Sequence, residues 1–479
     1  MKRGISTGQA LVQTLVFTGI GVAVLTGIVQ WTFIMLKAGR ASQHRQLAVQ
    51  IAEAGIEYYR WHLAHVPEDF QDGTGHSGPY VHSFKDASGD VIGSFSLEID
   101  PPPSGSTVVT ITSTGSVAAA AGVKEIIEVK MGKPSLAKFS VVSNDALRFG
   151  EGTEVFGPIH SNGGIRFDGL AHNIVTSAAV TYNDADHSGG DEYAVHTHLT
   201  PVDPLPPAAI PSRLDVFEAG RSVGVPAVDF AGLTGNLATI KTDAQADGRY
   251  FAASGTLGYR VVLKTDDTFD LYRVNSLIPV PNGCTSVVGQ TDWGTWSINT
   301  QTFLANYALP NNGLIFLEDN TWVEGQINTA RVTIAAARFP DNPSQRMSIT
   351  VNEDLLYTNY DGQDVIALVA QDNINAGLHS ADDLRIDAAL IAQNGRIGRY
   401  YYRPPTWMQN RCSPYHVRST ITLYGMLGTY ERYGYAYTDG TGYQTRNIIY
   451  DANLLYGPPP SFPLTTDQYQ TISWKRKKS

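Results

Sequence analysis

The longest hydrophobic stretch lies at the start of the chain. No charged residue occurs between Gly4 and Leu36. At 1.5 Å per helical residue, that length exceeds the roughly 30 Å hydrocarbon core of a bilayer. A cleavable export signal has a shorter apolar region followed by a small-residue cleavage site. Here the run is too long and no such site follows it, so a permanent membrane helix is expected. The pattern then changes without a break. In "SQHRQLAVQIAEAGIEYYRWHLAHV" (42–66), Leu47, Ile51, Ala54, Tyr58 and Trp61 recur at alternating steps of four and three. That spacing makes one apolar stripe on a continuing helix, and Pro67 stops it. The two patterns together predict a single helix over 9–66.

Past Pro67 the period shortens to two. "VIGSFSLEID", "STVVTITSTGSV" and "KEIIEVKMG" are alternating or β-branched runs separated by turn clusters such as "PPPSGS". They predict a small antiparallel β-module over 67–135, laid on the amphipathic helix and burying Ile51, Tyr58 and Trp61. From 136 onward, short aliphatic cores alternate with polar corners, as in "NGLIFLEDNTWVEGQI", "ARVTIAAARF", "DVIALVAQDNINAG" and "LRIDAALIAQNGRIGR". Runs such as "VIALVA", apolar at nearly every position, fit parallel strands buried on both faces, and Asn at the corners can hydrogen-bond along a stack. A parallel β-helix-like domain is expected over 136–200 and 276–428, with a β-sandwich as the alternative. An α+β insertion over 201–275 interrupts it. That insertion is a Pro-rich stretch, an amphipathic helix with Leu233, Leu237, Ile240 and Ala244 on one face, and a hairpin turning at Asp266-Asp267. The Tyr-rich segment 429–479 is expected to cap the open end of the stack and to finish in a solvated basic tail at Lys475, Arg476, Lys477 and Lys478. The fold class is thus mainly β with a long N-terminal α-helix.

Composition supports the β reading. The chain holds 46 Gly, 25 Pro and 24 Tyr among 479 residues, a loop-rich, strand-favouring balance. Its net charge of −10, with no basic stripe, argues against nucleic acid as a partner. The two cysteines, Cys284 and Cys412, fit either one disulfide in an oxidising compartment or two separate buried thiols. Basic residues flank both ends of the apolar helix, Lys2 and Arg3 before it and Lys37, Arg40 and Arg45 after it, so loop charge leaves its orientation open.

The short basic leader "MKRGISTG", the following "GQALVQ" and the continuation "AEAGIEYYRW" resemble the N-terminal region of type IV pilins and their minor, pseudopilin-type relatives. The resemblance is confined to that helical region. It implies a prepilin-like leader over 1–8, cut between Gly8 and Gln9, with Gly4 as a second candidate. It further implies a helix that packs in a filament core, where Gly19, Gly21 and Gly27 let neighbouring helices approach closely. The family usually carries Glu at the fifth mature position. This chain has Gln13, which keeps hydrogen bonding but loses the charge, and that points to a minor or tip subunit. The partners implied are a membrane, other pilin-like subunits and the pilus assembly machinery, with a surface glycan or protein as ligand of the head. The expected location is the cytoplasmic membrane as a single span, N-terminus inside and head outside, with passage into an extracellular filament.

Candidate chemistry is sparse. "NDADHSGGDEYAVHTH" (183–198) opens like a calcium loop at Asp184, Asp186 and Ser188, although the twelfth position falls on Val195 rather than an acid. In the same stretch His187, His196 and His198 are candidate transition-metal ligands. No other cofactor is implied. The chain carries no G-x-S-x-G, HExxH or phosphate-binding loop, so a non-enzymatic role in assembly, adhesion or surface contact is expected. Two alternatives stand beside it. One is an anchored adhesin outside any filament. The other is a β-helical polysaccharide lyase or hydrolase, for which Asp266-Asp267, Asp382-Asp383 and Arg385 are the available charged groups.

Overall fold

The computed structural model describes residues 7–477 apart from 186 and 188, with the backbone alone at 7, 231 and 233–236. The chain is mainly β, with one long N-terminal helix followed by a large sheet-rich domain. It divides into two compact units. One holds 1–102, 108–132 and 467–479; the other holds 103–107 and 133–466.

In the first unit, α1 (Thr7–His65) is a single 59-residue helix. The hydroxyls of Thr14, Thr18, Thr26 and Thr32 donate to the carbonyl four residues earlier at 2.8–2.9 Å, so the apolar half carries these groups already satisfied. From Ala48 onward the helix lies on an antiparallel sheet of β1 (Tyr80–Lys85), β2 (Val91–Asp100), β3 (Val109–Val117), β4 (Ala120–Gly132) and the C-terminal strand Gln470–Lys477, in that order. Its buried face is Ala48, Ile51, Ala52, Ile56, Tyr59 and Leu63, packed on Phe95, Leu97, Ile111, Ile127 and Val129. The expected stripe is therefore turned by about one residue. Trp61 is 61% exposed, and Leu47, Ala54 and Tyr58 are only half-buried.

The rotation follows from small residues. A Cβ on Gly55 would strike Ser113 Oγ and the Phe95 ring, and one on Gly115 would strike the Ala48 carbonyl oxygen and the Ala52 amide. The helix comes this close only where both surfaces lack side chains, and that requirement outweighs the pull of a large ring at Trp61. The basic C-terminus is not a free tail: its backbone is a strand of the small sheet, while the side chains of Lys475, Arg476 and Lys477 stay exposed and Lys478 lies outside the described residues. Arg476 grips Glu125 with two nitrogens at 2.9 and 3.0 Å, and Lys477 pairs with Glu128. The β4 edge thus gains both backbone partners and cross-strand charge pairs.

The second unit is a stack of parallel strands in three ladders, not a sandwich of antiparallel sheets. In the first ladder Ile315, Ile334, Leu368, Leu390, Leu427, Val141, Ile159 and Val175 lie one above the next. In the second the column is Leu355, Ile386, Leu423, Ile448, Val155 and Ala171. Shorter strands around Ile349, Ile374 and Ile397, and around Leu147, Ile165 and Val195, close the third side. All of these side chains meet in one interior. The opposite face of the first ladder is buried as well. There Phe316, Ala335, Val369, Ile391 and Val142 are covered by Leu237, Ile240 and Ala244 of α2 (Phe230–Ala246), with Leu136, Leu454 and Phe462. Double burial is why "VIALVA" has no polar position. Corner side chains bind along the stack: Asn373 accepts from the Arg396 amide at 2.9 Å, and Asn394 donates to the Gln371 carbonyl at 2.8 Å.

Two segments sit elsewhere than expected. The Tyr-rich segment is no end cap. Val417–Thr429 pairs with Asp383–Ala392 on one side and with Val141–Ser143 and Gly442–Tyr450 on the other, in the middle of the stack, and Tyr433, Tyr435 and Tyr443 point into the core. Of the hairpin expected in a separate insertion, the first strand is itself a rung, while Thr268–Leu277 pairs antiparallel with it; a strand that was not expected also joins the stack. Arg249–Phe251 pairs with Leu314–Leu317, and Gly258–Leu263 with Thr321–Ile327.

The structure joins Cys284 to Cys412, fastening a loop after the antiparallel strand Thr268–Leu277 to the loop below Arg399. Arg399 is fully buried. Its guanidinium donates to the carbonyls of Leu378, Tyr415, His416 and Gly377 at 2.6–3.3 Å and lies 4.8 Å from the Tyr402 ring centroid. Burial pulls its pKa down to about 10, still charged at neutral pH.

Gly115→Val is expected to destabilise the first unit by about 1–3 kcal/mol through overpacking of the helix–sheet seam, read as a lowered urea midpoint of the full chain in detergent. Arg399→Met should cost at least about 3 kcal/mol because several buried carbonyls lose their donor, and the same unfolding curve checks it.

Candidate functional site

Two features have chemistry beyond fold maintenance. The first is the leading half of α1. Leu11, Val12, Leu15, Phe17, Ile20 and Leu25 are each more than half exposed, and the helix is long and apolar enough to cross a membrane. Gln13 is exposed on this segment, and a Cβ on Gly19, Gly21 or Gly27 would meet nothing in the chain. Gly8 and Gln9 lie in the first described turn of α1, whereas residues 1–6, with Gly4, lie outside the described residues. A row of uncovered leucine, isoleucine and phenylalanine side chains is costly in water, at about 25 cal/mol per Å² of apolar surface.

The second feature lies in "NDADHSGGDEYAVHTH". Thr181–Tyr182 pairs antiparallel with Glu192–Tyr193, and Val195–His196 then joins Ile165–Phe167 in parallel. The hairpin loop folds Asp184 back over the strand. The chain bends at Ala194 between these two strands, and Glu192, His196 and His198 turn their side chains toward one another. One ligand atom from each of Asp184, Glu192, His196 and His198 lies within 4.8 Å of the others. Among the described residues this is the group of three or more His, Cys, Asp or Glu that converges so closely. Asp184, Glu192 and His196 are buried, at 6%, 5% and 1% exposure.

The internal contacts of the cluster are uneven. His198 Nε2 is 2.7 Å from Glu192 Oε1, a hydrogen bond. His196 Nδ1 lies 2.9 Å from the Tyr193 carbonyl oxygen, so that nitrogen carries the proton. His196 Nε2 then sits 3.1 Å from Glu192 Oε2, and neither atom makes a hydrogen bond. Burial holds the His196 imidazole below its ordinary pKa. Behind the cluster, Asp168 accepts from the His198 amide at 2.8 Å and from Arg166 Nε at 2.7 Å, while Arg166 Nη1 reaches to 3.6 Å from Asp184. His187 approaches Glu192 Oε1 at 3.7 Å from the rim.

Of the calcium-loop residues, Asp184 belongs to this cluster, and Asp186 and Ser188 lie outside the described residues. Glu192 carried no motif; its signal was an acid shortly before the H-x-H pair. The charged pairs weighed for a lyase are not assembled into a site. Asp266-Asp267 forms a hairpin turn, with Asp267 at φ 59°. Arg385 turns to Asp387 at 2.8 Å, while Asp382 accepts from the Ser419 amide at 3.1 Å. A separate cleft of about 690 Å³ in the second unit is lined by Arg148, Arg396, Arg432 and Arg446 with Asp145 and Glu431.

No protein-family model matches the chain, and no curated protein matches it in sequence. Among solved structures it is similar to the competence-associated pilin ComZ from Thermus thermophilus, at 10% identity over 91% of this chain and 98% of that one, with a TM-score of 0.29, a likeness too slight to carry a conclusion.

Proposed function

We propose that the chain is a pilin-like, membrane-anchored surface protein that serves as a minor or tip subunit of a type IV pilus or a related filament. One observation carries the reading. A single unbroken helix has its first half uncovered and apolar and its last third, from Ala48 onward, clamped on an antiparallel sheet. A helix built this way passes from lipid to a bundle of like helices without refolding, because both surroundings satisfy the same apolar side chains. The satisfied threonine hydroxyls and the small side-chain profile at Gly19, Gly21 and Gly27 suit both surroundings. The sequence resemblance of "MKRGISTG", "GQALVQ" and "AEAGIEYYRW" to pilins supports the same assignment.

In this reading the leader is removed between Gly8 and Gln9, the helix anchors the chain with its N-terminus inside, and the second unit is the part presented to the surroundings. Binding and assembly, rather than turnover, are its work. The cleft lined by Arg148, Arg396, Arg432 and Arg446 with Asp145 and Glu431 is a candidate surface for a glycan or protein partner.

Mass spectrometry of the chain isolated from its native membranes is expected to find Gln9 as the first residue. An intact Met1 overturns the filament assignment and favours an anchored adhesin. Gln13→Glu restores the acid at the fifth mature position and is expected to raise the share of the chain in sheared filaments at least several-fold. An unchanged share counts against an accessory role set by Gln13.

A further inference from the structure

The cluster on the 183–198 hairpin plays no part in helix packing. We infer that Asp184, Glu192, His196 and His198 form a structural site for a divalent transition metal of the zinc class, fastening the hairpin loop to the strand that follows it.

The donor set is the first argument. Two imidazoles and two carboxylates converge within 4.8 Å, and tetrahedral ligands about 2.0–2.2 Å from an ion stand roughly 3.3–3.6 Å from one another. Small side-chain rotations close the cluster onto an ion. Its nitrogen content selects the metal class, since calcium takes six to eight oxygen ligands whereas imidazole suits zinc and its neighbours.

The second argument is the facing pair of acceptors. The Tyr193 carbonyl fixes the His196 proton on Nδ1, so Nε2 presents a lone pair. That lone pair lies 3.1 Å from a carboxylate oxygen of Glu192, and both atoms are buried without a hydrogen bond. Two acceptors held together in a buried site call for a cation. A proton would relieve this one contact. A cation would in addition engage Asp184 and His198, whose ligand atoms lie within 4.8 Å of the same pair. A ring N–H bound to a backbone carbonyl is also the usual way a metal-binding histidine is oriented.

Burial supplies the role. With three of the four ligands nearly inaccessible, the site is closed, as structural zinc sites are, rather than open for substrate. This inference does not depend on the filament assignment.

The test uses the full chain purified in detergent without a histidine tag, stripped with a chelator and re-equilibrated with zinc alone or calcium alone. The expected result is one zinc retained per chain after gel filtration, with a melting temperature raised by zinc and not by calcium. Glu192→Gln and His198→Ala should each abolish both effects. Failure of the wild-type chain to retain zinc overturns the inference. So does retention of calcium in its place, or full zinc retention by both variants. Should the variants not fold, cobalt(II) added to the wild-type chain decides: a four-coordinate visible spectrum supports the site, and its absence overturns it.

Discussion

The second unit depends on the pairing of strands made early in the chain with strands made late. Leu427, Gly428 and Thr429 lie in parallel register with Val141, Val142 and Ser143, and Ile448 lies beside Val155 in the second ladder. Without these pairings there would be two short stacks, each with an open end of unpaired amides and carbonyls. With them, one continuous interior runs from Tyr259 to Phe217. The same pairing draws the chain's two crossings of this unit together. The Thr465 amide donates to the Pro134 carbonyl, and the Ser135 amide to the Leu455 carbonyl, both at 2.9 Å. The chain therefore leaves the first unit after Gly132 and returns to it at Asp467, in time to add the strand that finishes the small sheet.

The small sheet rests on a different constraint. Gly55, Ala52 and Ala48 on the helix face Gly115 and Ser113 on the strand, and removal of side chains there sets the spacing for every larger contact around it. Large residues then fill the flanks, with Ile51, Ile56 and Tyr59 against Phe95, Ile111 and Val129. Hydrophobic burial provides the energy, while the glycines decide the angle of rotation about the helix axis.

This division explains what could be read from sequence. Length and lack of charge were enough for the apolar half of α1, period two was enough for β2, β3 and β4, and the unbroken apolar cores of "VIALVA" and "ARVTIAAARF" announced strands buried on both faces. Those signals are local. The missing parts are contacts between distant segments. The phase of the helix face was set by Gly115, sixty residues from Gly55, and not by the size of Trp61. Gln470–Lys477 did not read as a strand because its partner β4, with Glu125 and Glu128 for Arg476 and Lys477, lies far back in the chain. Tyr433, Tyr435 and Tyr443 read as a cap because nothing local reveals that the stack continues past them into Val141. The histidine cluster was half legible. The H-x-H pair and Asp184 stood out, but Glu192 joins them only when the hairpin folds Asp184 back.

The late return of the chain has a consequence for how the molecule comes into being. On the ribosome, α1 emerges before β4, yet the strand that covers β4, Gln470–Lys477, is made only after the whole second unit. Val141–Ser143 likewise waits for residues 427–429. Such distant pairings make folding slow, and exposed β-edges are the usual seeds of aggregation. The growing chain therefore carries two unfinished edges through most of its synthesis, and maturation is an act of closure in which the newest residues complete the oldest.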